Sequence, residues 1–382
     1  MTREIQAMNG VGRSRPNSPS DAELDVIVVG GGQAGLAMGW HLAERGLSFL
    51  ILDAGAEIGD VWRSRWDSLA LFTPVQYDSL PGMPFPGSVD TYPTKDQVAD
   101  YLQAYAANFQ LPVKLNSQAV GLDRVEDGFE VTTRNETFRA HQVVVATGPF
   151  QVPFVPPSTR GLDPSVTQVP TSSYRTPESL PEGPVLVVGG GNSGIQIAQE
   201  LAASRRVDVS IGTSPQMLPQ RLLGKDLFWW FTRFGLQAKP ADSRIGRRMQ
   251  ARGDIVIGTS RRRLRRAGVR FRPRLAEADG RTVRFADGSA LEVDVVIWAT
   301  GFHSDYSWIG VPDVMTEGHV THRRGVTDVA GLYFLGLSWQ HTRGSALLGF
   351  VNEDAAYLAE QITAREGATR TVEIAGAELR SG

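Results

Sequence analysis

The feature that most constrains the fold is a pattern that the chain carries twice. Residues 26–55 read VIVVGGGQAGLAMGWHLAERGLSFLILDAG, and residues 185–212 read VLVVGGGNSGIQIAQELAASRRVDVSIG. In each copy a short apolar run precedes a glycine-rich turn, a segment with apolar residues at helical spacing, and a second apolar run. Continuous short apolar runs are typical of buried parallel strands. Each copy therefore predicts a strand–helix–strand unit with parallel strands.

A longer stretch is duplicated as well. Residues 128–148 (GFEVTTRNETFRAHQVVVATG) and residues 281–301 (RTVRFADGSALEVDVVIWATG) both alternate like a hairpin and then enter an apolar strand that ends in Ala-Thr-Gly. The copies are a whole domain apart, which excludes a solenoid of short repeats. The sequence thus predicts an α/β fold with two Rossmann-like, three-layer dinucleotide-binding domains.

The order of the segments predicts that the second domain is inserted into the first. Residues 149–184 are rich in proline, serine and threonine and separate the copies, while GLYFLGL (residues 331–337) predicts a strand and residues 352–366 an amphipathic helix. We expect this last part to rejoin the first domain. The predicted ranges are a disordered N-terminal tail (1–22), the first part of the first domain (23–155), the inserted domain (156–298), the returning part (299–366) and a C-terminal tail (367–382).

Composition excludes several classes of protein. The formal net charge is −2, so no overall field favours nucleic acid or an anionic membrane. There are no cysteines, which excludes disulfides, thiolate metal sites and a redox-active dithiol. The six histidines show no metal-ligand spacing, and no apolar run is long enough to span a membrane. We expect a cytoplasmic protein without a metal, and we interpret RRRLRR (residues 261–266) as a solvated helix face.

The first glycine-rich turn has the spacing Gly30-x-Gly32-x-x-Gly35. In such a turn the first glycine permits the tight bend, the second lets a pyrophosphate approach the backbone, and the third lets helix and strand pack closely. The N-terminus of the helix then offers N–H groups and a positive partial charge to the phosphates. Asp53 ends the second apolar run, where a carboxylate accepts the ribose hydroxyls of an adenosine moiety. These features predict FAD at the first turn.

The second turn, GGGNSG at residues 189–194, keeps the same glycine spacing but lacks the acid. Its second apolar run ends in Ile-Gly-Thr-Ser at residues 211–214. An acid there would repel a ribose 2′-phosphate, whereas hydroxyl groups and an arginine accept one. The second turn therefore predicts NADPH, with Thr213, Ser214 and Arg221 as the candidate phosphate contacts.

Taken in order, these motifs resemble those of single-component, class B flavin-dependent monooxygenases of the flavin-containing monooxygenase type, which are related to Baeyer–Villiger monooxygenases. The resemblance covers residues 24–366 and rests on GGGQAGL, LDAGAEIGDVW, VVVATGPF, VLVVGGGNSG, WATGF and GLYFLGL. Several of these motifs also occur in flavin disulfide reductases. Gly59-x-x-Trp62 is more particular to the monooxygenases, and the chain lacks the dithiol that the reductases need.

The resemblance implies which residues contact each cofactor. For FAD these are Gly30, Gly32, Gln33, Ala34, Gly35, Asp53, Ala54, Gly59, Val61, Trp62, Val120, Ala146, Thr147 and Gly148. For NADPH they are Gly189, Gly191, Asn192, Ser193, Gly194, Thr213, Ser214, Arg221, Ala299, Thr300 and Gly301. No catalytic side chain is assigned, because the flavin carries the chemistry; the candidates for its edge are Gln340, His341 and Arg343.

The function that the resemblance implies is an NADPH- and O2-dependent insertion of one oxygen atom into a small organic substrate. It would proceed by N- or S-oxygenation or carbonyl oxidation, through a peroxide on the flavin ring. The chain departs from the family where Pro170 replaces a histidine and where residues 71–82 replace a segment with an asparagine. Two alternatives stay open: an NADPH-driven flavin reductase or diaphorase without oxygenation, and a non-catalytic flavin-binding accessory protein. A homodimer is compatible with each of them.

The most aromatic stretch is LFWWFTRFG at residues 227–235. It predicts a packed helix of the second domain, and two other interpretations stay open. One is a lid over the substrate channel, and the other is a helix that lies on a membrane surface.

Overall fold

The computed structural model describes residues 24–253 and 255–381. Its helices are α1 (Gln33–Ala43), α2 (Asp60–Arg63), α3 (Lys95–Asn108), α4 (Asn192–Leu201), α5 (Leu227–Arg233), α6 (Arg244–Ala251), α7 (Arg261–Arg266) and α8 (Val351–Ser381). Its strands are β1 (Leu24–Val29), β2 (Phe49–Leu52), β3 (Val113–Lys114), β4 (Ala119–Val125), β5 (Gly128–Thr133), β6 (Thr137–Val145), β7 (Val152–Pro153), β8 (Thr167–Pro170), β9 (Val185–Val188), β10 (Val207–Ser210), β11 (Gln216–Leu218), β12 (Arg221–Leu222), β13 (Lys225–Asp226), β14 (Ile255–Ile257), β15 (Arg270–Arg272), β16 (Leu275–Asp279), β17 (Thr282–Phe285), β18 (Ala290–Glu292), β19 (Val295–Trp298), β20 (Phe302–His303), β21 (Met315–Thr316), β22 (His319–Val320) and β23 (Leu332–Phe334).

The first sheet has the strand order β3-β2-β1-β6-β5-β4, and β23 pairs with β6. β1 runs parallel to both β2 and β6, and its residues from Asp25 to Val29 are buried, as the apolar run predicted. β5 and β6 form the predicted hairpin, and β4 extends it to an antiparallel meander. β23 pairs with β6 in the parallel direction. The chain therefore returns to the first sheet after it has formed the second.

The second sheet has the order β15-β10-β9-β19-β8, and every neighbouring pair in it is parallel. The antiparallel strands β16, β17 and β18 form its meander, and Asp287 and Gly288 lie in the turn between β17 and β18. The prediction of an α/β fold with two Rossmann-like sheets is therefore confirmed. The segment by which the chain leaves the first domain lies beside the segment by which it returns, because β7 and β20 pair as an antiparallel ribbon.

The helix boundaries agree with the sequence-based expectations except near the C-terminus. The apolar periodicity predicts helices over residues 33–45 and 193–203, and α1 and α4 end within two residues of those positions. The helix predicted over residues 352–366 begins at Val351 and continues to Ser381, so the predicted end at residue 366 is wrong. No proline interrupts residues 352–381, and the helix continues through what was predicted to be a tail.

Two further sequence-based expectations concern the tail and the membrane. The predicted N-terminal tail, residues 1–22, lies outside the described residues. No helix in the described part of the chain is long and apolar enough to cross a membrane.

Candidate functional site

The first glycine loop is fixed by its contact with the Ala-Thr-Gly turn after β6. Gly30 has a φ of +111°, and a Cβ there would lie 2.5 Å from the carbonyl oxygen of Ala146. A Cβ on Gly35 would lie 1.8 Å from the carbonyl oxygen of Gly30, whereas a Cβ on Gly32 would meet nothing within 4 Å. The first and third glycines are therefore required by packing within the protein, and the second faces open space. That open position lets a phosphate approach the backbone.

The second glycine loop has the same geometry. Gly189 has a φ of +118°, and a Cβ there would lie 2.1 Å from the carbonyl oxygen of Ala299. A Cβ on Gly194 would lie 2.4 Å from the carbonyl oxygen of Gly189, while a Cβ on Gly191 would meet nothing within 4 Å. Each sheet therefore carries one loop with two packed glycines and one glycine open to a ligand.

The helices that follow these loops begin without a side-chain cap. The N-cap residues of α1 and α4 are Gly32 and Gly191, and neither has a side chain that accepts a hydrogen bond from the first turn. Four other helices carry such a cap, from Thr94, Asp226, Ser243 and Ser260. Uncapped N–H groups at the positive end of a helix favour an anionic ligand. The two glycine loops thus have the chemistry that a pyrophosphate needs.

Asp53 is bound to the first loop through its carboxylate. Its Oδ2 accepts the N–H of Gly31 at 2.5 Å, and its Oδ1 accepts the N–H of Gly55 at 2.7 Å. At the matching place in the second loop, a Cβ on Gly190 would lie 3.2 Å from the side chain of Ile211. The first loop therefore has a fixed acid beside it, which suits free ribose hydroxyls. The second has an aliphatic side chain, which does not repel a phosphate.

A cation that the sequence analysis missed lies at the end of β10. A Cβ on Gly212 would lie 3.0 Å from Nε of Arg274, an exposed residue two positions after β15. β15 is the parallel neighbour of β10, so the two strands end at the same edge of the sheet. Arg221, the predicted phosphate contact, instead donates a hydrogen bond to Tyr92 and lies near Asp226. Only strand pairing brings Arg274 to this place, and no local sequence signal marks it.

The predicted hydroxyl contacts for the same phosphate lie close to Arg274 in the fold. Thr213 and Ser214 follow Gly212 directly, and both are exposed. Ser193, in the first turn of α4, is half-buried. The end of β10 therefore offers a cation and accessible hydroxyl groups at one edge of the second sheet.

The Gly59-x-x-Trp62 segment lies beside the first glycine loop. Nε1 of Trp62 donates a hydrogen bond to Oε1 of Gln33 at 3.3 Å. Gly59 has a φ of +92°, and a Cβ there would lie 2.9 Å from Cα of Ala99 in α3, so glycine lets α2 pack closely against α3. Val61 in the same short helix is 63% exposed. α2 therefore presents an exposed apolar side chain and a tryptophan next to the loop.

Other predicted FAD contacts surround Asp53 and the turn after β6. The N–H of Ser117 donates to the carbonyl oxygen of Asp53 at 2.7 Å, and Val120, three residues further on, is 44% exposed. Thr147 accepts a hydrogen bond from Nε2 of Gln151 at 2.9 Å. Because β1, β2 and β6 are parallel and end in register, the glycine loop, Asp53 and the turn after β6 share one edge of the first sheet.

Comparisons of the sequence and the structure with known proteins agree with the presence of two dinucleotide sites. Residues 27–220 match the family described as pyridine nucleotide-disulphide oxidoreductase. The chain belongs to this family. An uncharacterized CzcO-like oxidoreductase of Geobacillus kaustophilus (strain HTA426) is 48% identical over 341 residues, which are 89% of this chain and 98% of that one.

Two monooxygenases are similar over nearly the whole chain. The indole-3-pyruvate monooxygenase YUCCA4 of Oryza sativa subsp. japonica is 27% identical, over 92% of this chain and 90% of its own. The flavin-containing monooxygenase of Stenotrophomonas maltophilia has a TM-score of 0.77 and 29% identity, and the match covers 90% of this chain and 99% of that one. The protein is thus an FAD-dependent oxidoreductase of the flavin-containing monooxygenase type, with FAD and NADP(H) as cofactors, as the motifs predicted.

The two cofactors of this oxidoreductase fit the two loops. Each loop has one glycine at which a Cβ would meet nothing, and an uncapped helix behind it. Some predicted contacts have other tasks, however. Oδ1 of Asn192 accepts the N–H of Ile257 at 3.2 Å and its Nδ2 donates to the carbonyl oxygen of Ile255 at 3.0 Å, so this side chain holds β14 against α4. The contact of Asn192 with NADPH stays a prediction.

The segment with the flavin-edge candidates is internally bonded. Oε1 of Gln340 accepts the N–H of Leu337 at 3.2 Å, and its Nε2 donates to the carbonyl oxygen of Arg324 at 3.4 Å. Its amide therefore joins its own loop to the carbonyl group of Arg324, and the expected role of Gln340 at the flavin edge stays a prediction. The backbone of His341 is bonded to Ser345 at 3.0 Å and to Ala241 at 2.7 Å, so this loop contacts the second domain.

The guanidinium of Arg343 makes a cation–π contact with the aromatic helix α5, with Cζ 5.5 Å from the centre of the Phe231 ring. Phe228 in the same helix is fully buried, and its ring lies 6.0 Å from Phe72 and 6.2 Å from both Tyr77 and Phe350. α5 is thus a packed helix, as one interpretation predicted. Its partners belong to the first-domain segments, however, so it joins the two domains and does not pack only within its own.

The second Ala-Thr-Gly turn, residues 299–301, also connects the two domains. The hydroxyl of Thr300 donates to the carbonyl oxygen of Phe154, the residue that follows β7. The N–H of Phe154 donates in turn to the carbonyl oxygen of Gly301 at 3.0 Å. The turn that packs on Gly189 is therefore also bonded to the segment by which the chain leaves the first domain.

Sequence reasoning also missed Asp78, which follows the 3-10 helix Val75–Tyr77. Asp78 is 1% exposed, and its Oδ1 accepts the hydroxyl of Thr73 at 2.6 Å. Burial raises the pKa of Asp78 to about 7, and the hydrogen bond from Thr73 opposes this shift. Near neutral pH this side chain therefore holds a proton part of the time. A buried acid of this kind has no local sequence signature.

One group of possible metal ligands lies away from the glycine loops. Asp25, His141 and Glu366 bring their ligand atoms within 4.8 Å of one another. Nδ1 of His141 lies 3.4 Å from Oε1 of Glu366, and Oδ2 of Asp25 accepts the N–H of Ser48 at 2.7 Å. The three residues come from β1, β6 and α8, so no spacing in the sequence indicated them. Their contacts join α8 to the first sheet.

Proposed function

We propose that the protein is an NADPH- and O2-dependent flavin monooxygenase that transfers one oxygen atom to a small organic substrate. The substrate would be oxidised at nitrogen, at sulfur or at a carbonyl group. The balanced reaction consumes one NADPH, one proton and one O2, and it gives the oxygenated product, water and NADP+. The flavin-containing monooxygenase of Stenotrophomonas maltophilia and the plant indole-3-pyruvate monooxygenases support this class of reaction.

The observation that carries the proposal is the pairing of two dinucleotide loops in a chain without cysteine. Both loops have one open glycine and an uncapped helix, which suits two dinucleotides. With no cysteine in the sequence, reducing equivalents have no protein dithiol to reach. Oxygen or a free acceptor must therefore take them, and oxygen is the acceptor that the related monooxygenases use.

The residues of the chain bind and orient the cofactors. When bound, FAD supplies the redox chemistry that protein side chains lack. The backbone around Gly32 would hold its pyrophosphate, Asp53 its ribose, and Trp62 would lie beside its ring system. The backbone around Gly191 would hold the pyrophosphate of NADPH, and Arg274 would bind the 2′-phosphate.

The aromatic packing of α5 would exclude water from the space between the domains. Phe228 is completely buried and contacts rings from both first-domain segments, so opening this contact would expose apolar surface. A dry site limits the loss of reducing equivalents to hydrogen peroxide. This role is structural and requires no acid or base from the helix.

Turnover under oxygen-18 tests the proposal. The purified FAD-loaded protein is incubated with NADPH, methyl phenyl sulfide or benzylamine, and ¹⁸O2. We expect a product that carries one oxygen-18 atom, in proportion to the NADPH consumed. Hydrogen peroxide alone, with every organic probe unchanged, would support the reductase alternative. Negligible NADPH oxidation with a full complement of FAD would support the accessory protein.

A further inference from the structure

A cavity of about 390 Å³ lies between α4 and the first-domain segment that includes Ser68 and Phe72. Cavities that hold small organic ligands have volumes of about 300–1,000 Å³. Its walls come from four places in the sequence: the segment before α3, one side of α4, Gln220 between β11 and β12, and the residues from Val256 to Thr259 around the end of β14. It is therefore built where the two domains meet, and none of the cofactor contacts predicted from the sequence lines it.

The walls of the cavity combine apolar and hydrogen-bonding groups. Leu71, Phe72 and Ile195 give it an apolar side on which a ring can pack. The cavity is also lined by residues with carboxamide and hydroxyl groups, namely Gln196, Gln199, Gln220, Tyr92 and Thr259. The hydroxyl of Thr259 is buried, and no residue in the described part of the chain shares a hydrogen bond with it. A ligand with an apolar ring and one polar group matches this lining.

The charges around the cavity select against an anion. Glu200 is the acid that lines it, and none of its described lining residues is a lysine, arginine or histidine. Tyr92 donates to Oδ2 of the buried Asp226 at 2.8 Å, and burial raises the pKa of Tyr92, which keeps its hydroxyl neutral. Arg221, which is itself exposed, donates to Tyr92, and Asp90 and Asp226 lie near its charge.

We propose that this cavity is a ligand site, and that it takes an uncharged or cationic molecule with one ring and excludes carboxylates. The binding does not depend on the proposed monooxygenase function. Placing a carboxylate beside Glu200 without a cation in the lining would leave a partly buried charge unpaired. This selectivity would separate the protein from the similar indole-3-pyruvate monooxygenases, which are named for a keto acid.

Three probes of similar size and shape test the charge selectivity. Phenylacetamide is neutral, phenethylamine is cationic and phenylacetate is anionic. Binding of each is measured by isothermal titration or ligand-observed NMR to the FAD-loaded protein without NADPH. We expect the amide and the amine to bind at least ten times more tightly than phenylacetate.

Two variants locate the binding in this cavity. Ala70→Phe fills it with a ring and should weaken phenylacetamide binding at least ten-fold; Ala286→Phe, at an exposed position outside the lining, is its control. Gln199→Lys adds a cation to the lining and should strengthen phenylacetate binding about ten-fold. Gln250→Lys, on the exposed surface of α6, should not.

The outcomes separate this proposal from the proposed function. Equal binding of phenylacetate and phenylacetamide to the unaltered protein would overturn the charge selectivity. Binding of phenylacetamide that is unchanged in Ala70→Phe, or no binding of any probe, would overturn the site. If the probes bind as expected but no oxygen-18 product forms, the cavity stands as a ligand site and the monooxygenase function fails.

Discussion

The carboxylate of Asp53 accepts the backbone N–H of Gly31, so the acid after β2 and the glycine loop after β1 form one bonded unit. A second hydrogen bond, from Gly55, fixes the other carboxylate oxygen. The acid is therefore held in place before any cofactor arrives. The equivalent contact in the second loop is made by Ile211, and this difference distinguishes the two dinucleotide sites.

Asp53→Asn should weaken FAD binding. The change removes the charge that receives the ribose hydroxyls, and loss of a charge-assisted hydrogen bond costs about 1.5–3 kcal/mol, or roughly a ten- to hundred-fold change in Kd. Titration of the apoprotein with FAD measures it, with Asp127→Asn in an exposed turn as the control. An unchanged Kd for FAD would contradict the role assigned to Asp53.

Gly191→Ala and Gly194→Ala should have different effects although both lie in one loop. A Cβ at Gly191 meets nothing within 4 Å, so this variant should keep its thermal stability and lose NADPH affinity by about ten-fold or more. A Cβ at Gly194 would lie 2.4 Å from the carbonyl oxygen of Gly189, so that variant should lose about 2 kcal/mol or more of stability. Thermal melts and NADPH titrations of both variants check this. Equal losses of stability would show that the second glycine is not open.

Arg274→Ala should raise the KM for NADPH about ten-fold or more and leave the KM for NADH nearly unchanged, because its guanidinium lies beside Gly212 at the end of β10. Arg221→Ala is the matched control, since Arg221 is bonded to Tyr92. Steady-state kinetics with both nucleotides measure the effect. If only Arg221→Ala discriminates between the nucleotides, the sequence-based prediction is the correct one.

Phe228→Ala should destabilise the protein by about 3–5 kcal/mol, because it leaves a cavity in an aromatic cluster that joins the domains. Phe234→Ala changes a ring that is 63% exposed and should cost less than about 1 kcal/mol. Chemical denaturation of both variants gives the comparison. A small effect at Phe228 would mean that α5 is only loosely attached, as a lid would be.

Asp78→Asn should change how stability depends on pH. The pKa of Asp78 is about 7 in the folded protein, above its value of about 3.9 in an unfolded chain. Between these values the folded state binds a proton that the unfolded state lacks, so this group makes stability fall as pH rises from about 4 to 7. A neutral asparagine does not titrate, so the variant lacks this fall in stability between about pH 4 and pH 7. The Tm of the variant relative to the unaltered protein should therefore increase from about pH 5 to about pH 8, and a constant difference would contradict the raised pKa.

Much of the fold was predictable because its signals are local. The glycine spacings, the apolar runs and the terminal acid at Asp53 are each set by a few consecutive residues, and β1, α1, β9 and α4 lie where these signals indicated. The end of α8 was predicted wrongly because Gly367, a residue type that often ends a helix, follows Glu366, yet the helix continues through it to Ser381.

The sequence by itself determined that the chain has two dinucleotide loops, that one is paired with an acid, and that no dithiol is present. These properties depend on residue type and short spacing. Only the tertiary structure decided that Arg274 lies beside Gly212, that α5 packs on Phe72 and Phe350, and that a cavity separates α4 from Ser68. Those contacts join residues far apart in the chain, and strand pairing and burial, which no local pattern encodes, bring them together.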